Sequence, residues 1–311
     1  MTRVAAIDCG TNSLRLLVAD LDPAAGTLVD VDRRMEVVRL GEGVDRTGRL
    51  SPAALRRTQA GLARFVALTR RLGVERVRMV ATSATRDAAN RLEFVDMVRD
   101  TLGAEPEVVT GDEEAALSFA GATRELASRG VGKPPYLVFD VGGGSTEIVL
   151  GGVTSPHLLA AISVDVGCVR LTERHLQDDP PGVAQVAALT ADVDVALDRA
   201  AVAVPLDRAA TVVGVAGTVT TLGGMALGLD RYDAKRIHGT RIPATRVGEL
   251  TDQLLAMTHD ERAAVPVMHP GRVDVIAAGA VVVRRLVERV GLPDLVVSEH
   301  DILDGLAWSL Q

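Results

Sequence analysis

The chain has 311 residues, of which 47% are hydrophobic and 24% are charged, so it can bury a large core and is not globally disordered. This length favours two domains over one. Aromatic residues make up only 2%, which argues against base stacking on single-stranded nucleic acid, and the net charge of −7 provides no general attraction for polyanions.

Cysteine usage and hydropathy predict a cytoplasmic protein without a membrane partner. The cysteines, Cys9 and Cys168, provide neither a disulfide framework nor metal-ligand spacing, as is usual in a reducing compartment. The first residues lack the pattern of a secretory signal, and the apolar stretch Val275–Val283 is too short to span a bilayer.

An internal repeat predicts two β-hairpins. The segment Val4–Val18 aligns with Tyr136–Leu150, matching Asp8 with Asp140, Gly10 with Gly142 and Ser13 with Ser145. Each copy has an apolar strand, a turn of small residues and a second apolar strand. One repeat at this separation indicates two homologous domains rather than a solenoid.

Apolar periodicity and capping residues predict strands and helices around these hairpins. In the first half they are a strand over Thr27–Leu40, a helix from Ser51 toward Leu72, and strands at Val77–Ala81 and Glu107–Thr110, each leading into a helix. In the second half they are strands at Leu158–Ser163, Thr211–Val215 and Leu295–Ser298, and helices near Leu171–Leu176, Val186–Val202, Asp274–Val290 and Ile302–Leu310. This alternation predicts mixed α/β domains, with a break near Arg124–Pro134.

The two hairpin turns are candidate phosphate-binding loops. Turns of small residues expose backbone N–H groups that can surround a phosphate, and hydroxyl and amide side chains add donors. The candidates are Gly10, Thr11, Asn12, Ser13, Gly142, Gly143, Gly144 and Ser145. The carboxylates of Asp8 and Asp140 repel phosphate, so we expect them to hold Mg²⁺ directly or through water. An ordinary hairpin with a turn-capping aspartate is the alternative for either loop alone.

A third candidate loop follows the strand predicted at Thr211–Val215. The chain passes Gly217 and is predicted to enter a helix near Thr218. The backbone amides at the start of this helix could then face an anion. Glycines at such a position can also serve helix–strand packing alone. The loop therefore adds to the case made by the two hairpins.

Seven motifs in a fixed order carry a family resemblance. They are Asp8–Ser13, Ala81–Arg86, Gly111–Ala115, Asp140–Glu147, Asp165–Leu171, Val215–Thr218 and Ile237–Gly239. Together they resemble the exopolyphosphatase/guanosine pentaphosphate phosphohydrolase (Ppx/GppA) family of the actin-like ATPase superfamily, from Ile7 to about Trp308. The chain is similar to the short form of this family, which lacks extra C-terminal helical domains.

The resemblance implies two ribonuclease-H-like domains facing a central cleft. The expected domains are residues 1–127 with 298–311, where the final helix returns to the first domain, and residues 128–297. It also implies that Glu114 is the catalytic carboxylate, that Arg86 contacts the phosphate chain, and that Asp8, Asp140 and Glu147 lie near Mg²⁺. The alternative explanation is that Glu114 and its neighbour Glu113 lie in the first turn of a helix because carboxylates there interact favourably with the helix dipole.

The expected activity is release of terminal orthophosphate from inorganic polyphosphate by Mg²⁺-assisted in-line attack of water. Guanosine pentaphosphate is the alternative substrate, ranked second because few aromatic residues are available for a guanine pocket. The short form of the family suggests shorter polyphosphate chains as substrates. Two further classes stay open, an actin- or sugar-kinase-type ATPase and a non-catalytic sensor of phosphate ligands. The resemblance implies a homodimer, and no nucleic-acid partner is expected.

Overall fold

Two mixed β-sheets organise the chain, each in its own compact unit. The structure is a computed structural model that describes residues 1–152 and 158–311. The first unit comprises Met1–Gly121 and Ile302–Gln311, and the second comprises Ala122–Asp301. The division lies within a single helix, Gly111–Ser128, which belongs to both units.

The first unit contains a five-stranded sheet with the order β3-β2-β1-β4-β5. Its strands are β1 (Thr2–Cys9), β2 (Ser13–Asp22), β3 (Thr27–Val37), β4 (Arg76–Ala81) and β5 (Glu107–Val108). Strands β1, β2 and β3 form an antiparallel meander, whereas β1, β4 and β5 are parallel. The carboxyl ends of the three parallel strands therefore meet at one edge of this sheet.

The helices of the first unit cover both faces of this sheet. They are α1 (Val44–Thr47), α2 (Pro52–Arg71), α3 (Ser83–Asp87), α4 (Arg91–Leu102), α5 (Gly111–Ser128) and, at the end of the chain, α13 (Ile302–Trp308). Side chains alternate between the faces of a strand, so β1 can supply two cores. Ile7 packs in the core that includes α2 and α4, while Ala6 packs in the core that includes α13.

The second unit contains a six-stranded sheet with the order β10-β11-β9-β6-β7-β8. Its strands are β6 (Tyr136–Val141), β7 (Thr146–Gly151), β8 (Leu158–Val164), β9 (Thr211–Val215), β10 (Arg241–Pro243) and β11 (Asp294–Val297). Strands β6, β7 and β8 form an antiparallel meander, and β6, β9 and β11 are parallel. The second sheet thus repeats the arrangement of the first sheet, in which an antiparallel meander of three strands is followed by parallel strands.

The helices of the second unit are α6 (Cys168–His175), α7 (Val183–Ala203), α8 (Ala216–Ala226), α9 (Ala234–Ile237), α10 (Ala244–Ala256), α11 (His259–Ala263) and α12 (Ile276–Val290). Aliphatic side chains from α7, α10 and α12 fill the main core of this unit against β6 and β9. Among the described residues, no helix combines the length and apolarity needed to cross a bilayer.

Most predicted elements form close to their expected bounds, and the differences arise at the ends of strands and helices. Ser51 caps α2 as expected, because its Oγ accepts the Ala54 N–H at 3.1 Å. The strand predicted to end at Thr110 ends at Val108, since Thr110 precedes α5 and bonds its first turn. The helix predicted from Asp274 begins at Ile276, and the last helix ends at Trp308 rather than Leu310.

Candidate functional site

The carboxyl edge of the first sheet gathers three of the predicted segments. The first turn follows β1, α3 follows β4, and α5 begins shortly after β5. In the parallel pairs, Cys9 lies beside Ala81 and Ala81 lies beside Val108. The candidate loop of Gly10 to Ser13 and the segments bearing Arg86 and Glu114 therefore start from neighbouring strand ends.

Backbone hydrogen bonds fix the turn between β1 and β2. The Gly10 N–H donates to the Ser13 carbonyl at 3.0 Å, which closes the predicted hairpin. The carbonyl of Asn12 accepts the N–H groups of the two residues that follow β3, and the Thr11 carbonyl accepts the Gly41 N–H at 2.8 Å. A Cβ atom at Gly41 would lie 2.2 Å from the Thr11 side chain, so glycine permits this close approach.

Asp8 at the end of β1 is bound by an arginine. It lies directly opposite Arg15 on β2, and it is only 3% exposed. The Arg15 guanidinium donates to Asp8 Oδ2 from Nε at 2.9 Å and from Nη2 at 2.6 Å. The Asp8 carboxylate is thus neutralised locally by a positive charge, which lessens its need for a cation.

Arg86 and Glu114, predicted for separate roles, are in direct contact. Arg86 Nη1 donates to the Glu114 Oε2 at 3.0 Å and to the Val109 carbonyl at 2.9 Å. Glu114 lies in the first turn of α5 and is 9% exposed. A charge-assisted bond of this kind fixes the carboxylate in one orientation, as a group that positions water requires.

Glu113, the neighbour of Glu114, is occupied as a helix cap. Its Oε2 accepts the backbone N–H and the hydroxyl of Thr110, each at 2.9 Å, and its own N–H donates to Thr110 Oγ1 at 3.2 Å. This is a reciprocal capping box. The Thr110 donors lower the pKa of the Glu113 carboxyl. The geometry therefore separates a structural Glu113 from Glu114, which supports the predicted choice of Glu114.

The turn between β6 and β7 repeats the first turn and is held by α6. The Gly142 N–H donates to the Ser145 carbonyl at 3.0 Å, the same bond as in the first hairpin. N–H groups at the start of α6 donate to the carbonyls of Gly142 and Gly143, and Arg170 Nε donates to the Gly144 carbonyl at 2.7 Å. Because these carbonyl oxygens accept hydrogen bonds from α6, they are not available to repel an anion bound at the turn.

Two carboxylates face each other beside this second turn. Asp140 on β6 lies directly opposite Glu147 on β7, and the two residues are 7% and 1% exposed. Glu147 Oε1 accepts the Ser163 hydroxyl at 2.7 Å. Like charges in opposite cross-strand positions repel, and burial increases the cost. Buried carboxylate oxygens are the kind of ligand that a divalent cation prefers.

The third predicted loop adjoins the second at the carboxyl edge of the second sheet. In the parallel pair of β6 and β9, Asp140 lies beside Val215. Ala216, the first residue of α8, has a φ of 69°, which is rare for a residue with a side chain and is found where function constrains the backbone. A Cβ atom at Gly217 would lie 2.2 Å from Arg272 Nε, so glycine admits the guanidinium beside the loop.

Thr218, which was also predicted in this loop, is buried near α12. Thr218 is 5% exposed, and its hydroxyl would lie 2.5 Å from a Cβ atom at Gly279 of α12. The Gly217 carbonyl accepts the Thr221 hydroxyl at 2.7 Å, and Arg272 Nη1 donates to that hydroxyl at 3.4 Å. Small residues therefore keep the start of α8 close to both α12 and Arg272.

Both cysteines are buried thiols beside these loops. Burial raises the pKa of Cys168 to about 11, and it raises the pKa of Cys9 well above its ordinary value. A thiol held in its neutral form is a poor nucleophile. Cys9 packs in a hydrophobic core of the first unit.

Sequence reasoning missed three contributors to these sites. The register of the first hairpin places Arg15 opposite Asp8, and this could have been found by counting residues from the turn. The Thr-x-x-Glu pattern of Thr110 and Glu113 is a recognisable capping box. Arg272 had no local signal, because it reaches Gly217 from a distant 3₁₀ turn, Pro270–Arg272.

Comparison with known proteins agrees with this architecture. The model of the Ppx/GppA phosphatase family matches residues 17–310. Exopolyphosphatase 2 of Mycobacterium tuberculosis is 51% identical, with 100% of this chain and 99% of that protein covered. The guanosine-5'-triphosphate,3'-diphosphate pyrophosphatase of Aeromonas salmonicida is 28% identical, covering 98% of this chain and 59% of that protein. The crystal structure of an exopolyphosphatase-like protein superposes with a TM-score of 0.94 at 41% identity, covering 99% and 98% of the two chains.

The chain belongs to the Ppx/GppA phosphatase family. This confirms the predicted family, and the two sheets, with their repeated order of meander and parallel strands, confirm the predicted α/β fold.

Proposed function

We propose that the chain is an exopolyphosphatase that releases orthophosphate from the end of inorganic polyphosphate. The observation that carries the proposal is the 51% identity, over essentially both full lengths, to a mycobacterial protein named Exopolyphosphatase 2. The residue contacts described above support the same chemistry. The supporting features are the turns of small residues, the opposed carboxylates of Asp140 and Glu147, and the hydrogen bond from Arg86 to Glu114.

The phosphate groups are bound by backbone amides and arginines. The three loops contribute N–H groups and hydroxyls, and the carbonyls that would repel an anion are engaged by other backbone donors in the two hairpin turns. We assign Arg86 a double role, since it holds Glu114 and presents a positive charge that phosphate oxygens can share. Arg272 joins this set because its guanidinium lies against Gly217.

Asp140 and Glu147 hold the metal ion, which we propose to be Mg²⁺. Their buried, mutually opposed carboxylates supply the hard oxygen ligands that suit it, and the Ser163 hydroxyl orients Glu147. When bound, Mg²⁺ neutralises charge on the phosphate oxygens. Asp8 differs from this pair, because Arg15 already provides a positive charge to its carboxylate.

Glu114 orients the attacking water and accepts its proton. The water oxygen forms a bond to the terminal phosphorus while the bond from that phosphorus to the bridging oxygen breaks. The products are orthophosphate and a polyphosphate one unit shorter, which retains the bridging oxygen. Arg86 fixes the Glu114 carboxylate for this task, and such a group contributes about 10²–10⁴-fold to the rate.

Hydrolysis of guanosine pentaphosphate is the second candidate. It is favoured by the 28% identity to the Aeromonas salmonicida pyrophosphatase. The composition counts against it, because aromatic residues that could stack on guanine make up only 2% of the chain. We further propose a cytoplasmic homodimer, to be checked by cell fractionation and by light scattering of the purified protein.

A phosphate-release assay with several substrates tests this function. The purified full-length protein should release orthophosphate from tripolyphosphate and from long polyphosphate faster than from guanosine pentaphosphate or ATP, and only with Mg²⁺ present. The loops recognise phosphate without a base, and this is the physical reason for the expected ranking. Faster turnover of guanosine pentaphosphate would favour the second candidate, and dominant ATP turnover would contradict both.

A further inference from the structure

Two histidines and a glutamate from distant parts of the chain meet in the second unit. Glu125 is in the last turn of α5, His238 follows α9, and His300 follows β11. Nε2 of His238 lies 3.4 Å from Glu125 Oε2, and Nε2 of His300 contacts the same oxygen. One nitrogen from each histidine and one glutamate oxygen all lie within 4.8 Å of one another.

The surrounding backbone holds this cluster in place. The Gly239 N–H donates to the Val297 carbonyl at 2.8 Å, which ties the segment after His238 to the end of β11. Ser298 Oγ accepts the His300 N–H at 3.1 Å and donates to the His300 carbonyl at 2.8 Å. The two histidine segments are therefore fastened to each other before any ligand binds.

The side chains are also oriented. The imidazole rings of His238 and His300 meet edge to face, with centroids 4.8 Å apart and an interplanar angle of 84°. Arg129 Nη2 lies 2.5 Å from Glu125 Oε1, so the other carboxylate oxygen is directed toward the histidines. Both Nε2 atoms thus point to one glutamate oxygen from different directions.

We propose that Glu125, His238 and His300 form a binding site for a transition-metal dication such as Zn²⁺. Two imidazole nitrogens and one carboxylate oxygen are a ligand set that suits Zn²⁺, with water as the fourth ligand. Mg²⁺ prefers oxygen ligands, so this site differs in metal preference from the Asp140 and Glu147 pair. A bound ion would join three chain segments that are far apart in sequence and would stabilise the second unit.

Metal binding requires one rearrangement that the structure specifies. The Glu299 N–H donates to His238 Nδ1 at 3.2 Å, so the neutral ring carries its proton on Nε2. Coordination through Nε2 moves the ring proton to Nδ1 and exchanges the Glu299 hydrogen bond for a metal bond. The Glu299 side chain is held separately, since its Oε1 accepts the Tyr232 hydroxyl at 2.6 Å.

Zinc competition with a chromophoric chelator tests the site. The full-length protein is freed of metals and of any polyhistidine tag, and it is titrated with Zn²⁺ in excess Mg²⁺, which occupies oxygen-ligand sites. We expect one Zn²⁺ per chain, and an affinity at least about tenfold weaker in Glu125→Gln and His300→Ala, because each removes a ligand. Both side chains are partly exposed, so these variants should fold.

His259→Ala is the matched control. His259 Nε2 lies 3.2 Å from Asp274 Oδ1, a histidine–carboxylate pair outside the proposed site, so this variant should bind Zn²⁺ as the wild type does. Zn²⁺ should also raise the unfolding temperature of the wild type and of His259→Ala, but not that of His300→Ala. The proposal is overturned by the lack of stoichiometric binding in the wild type, or by binding that survives both Glu125→Gln and His300→Ala.

Discussion

The two repeated hairpins place different side chains opposite their strand-end aspartates. In the first, Asp8 faces Arg15, and in the second, Asp140 faces Glu147. The first pair is an ion pair, and the second consists of two buried carboxylates. The same backbone arrangement therefore carries an attractive pair of charges in one hairpin and a repulsive pair in the other. The alignment of the repeat alone predicts equal roles for both aspartates, whereas their partners favour a metal role for Asp140 and a structural role for Asp8.

The carboxylates at the two hairpins should differ in their effect on Mg²⁺ dependence. Asp140→Asn and Glu147→Gln should reduce polyphosphate turnover and raise the Mg²⁺ concentration that gives half the maximal rate. Asp8→Asn should leave that Mg²⁺ concentration unchanged and lower the free energy of unfolding by about 1.5–3 kcal/mol, because the charge-assisted bonds to Arg15 weaken. Mg²⁺ titrations and urea unfolding of the three variants measure both effects. An equal Mg²⁺ shift in Asp8→Asn would show that the repeat is functionally symmetric.

The buried thiol of Cys168 predicts a loss of stability at alkaline pH. Its pKa is raised to about 11 in the folded chain, whereas an unfolded thiol titrates near about 8.5. The contribution to stability is therefore complete below about pH 8.5 and falls as the pH rises toward 11, by roughly 2 kcal/mol at about pH 10.

Urea unfolding at neutral and alkaline pH checks the expectation for Cys168. Cys168→Ala is the control, because alanine removes the titrating group. The alkaline loss of stability should be smaller in this variant than in the wild type. An equal loss in both proteins would assign the effect to other groups.

Sequence patterns predicted the strands, helices and turns whose formation depends on residues close together in the chain. The hairpin turns, the Ser51 cap of α2 and the strand at Thr211–Val215 were all confirmed, because apolar alternation, glycine turns and capping residues act over a few positions. Contacts between distant segments could not be predicted. Arg272 beside Gly217 and the meeting of Glu125 with two histidines depend on how the elements pack, which a single sequence does not encode locally.

Helix α13 packs closely on α5 at Gly305. A Cβ atom at Gly305 would lie 2.0 Å from the Leu117 carbonyl oxygen, so the two helices approach too closely for a side chain. Gly305→Ala should lower the free energy of unfolding by about 1–3 kcal/mol through overpacking. Gly248→Ala in α10 is the matched control, since the nearest atom to its added Cβ is 4.0 Å away.

The outcome for Gly248→Ala should have the opposite sign. Alanine stabilises a helix interior where space allows, because it restricts the unfolded chain. Thermal and urea unfolding of both variants measure the difference. If Gly305→Ala matched or exceeded the stability of Gly248→Ala, α13 would not be held against α5 as described.

At the scale of the whole molecule, one sheet topology is used twice with different electrostatics. The first unit presents Glu114 fixed by Arg86, and the second presents the carboxylate pair of Asp140 and Glu147. In the proposed function, Glu114 is the group that orients water, and the carboxylate pair provides the ligands of the cation. The family match over residues 17–310 includes both.

The catalytic role proposed for Glu114 is tested by steady-state phosphate release from polyphosphate. Glu114→Gln keeps the size and hydrogen-bonding capacity of the side chain but removes the proton acceptor, so kcat should fall by roughly 10²–10⁴-fold with KM unchanged or lower. Glu113→Gln changes only the cap at Thr110 and should retain most of the wild-type kcat. A severe loss in Glu113→Gln with a mild loss in Glu114→Gln would contradict the assignment, and mild losses in both would contradict the mechanism.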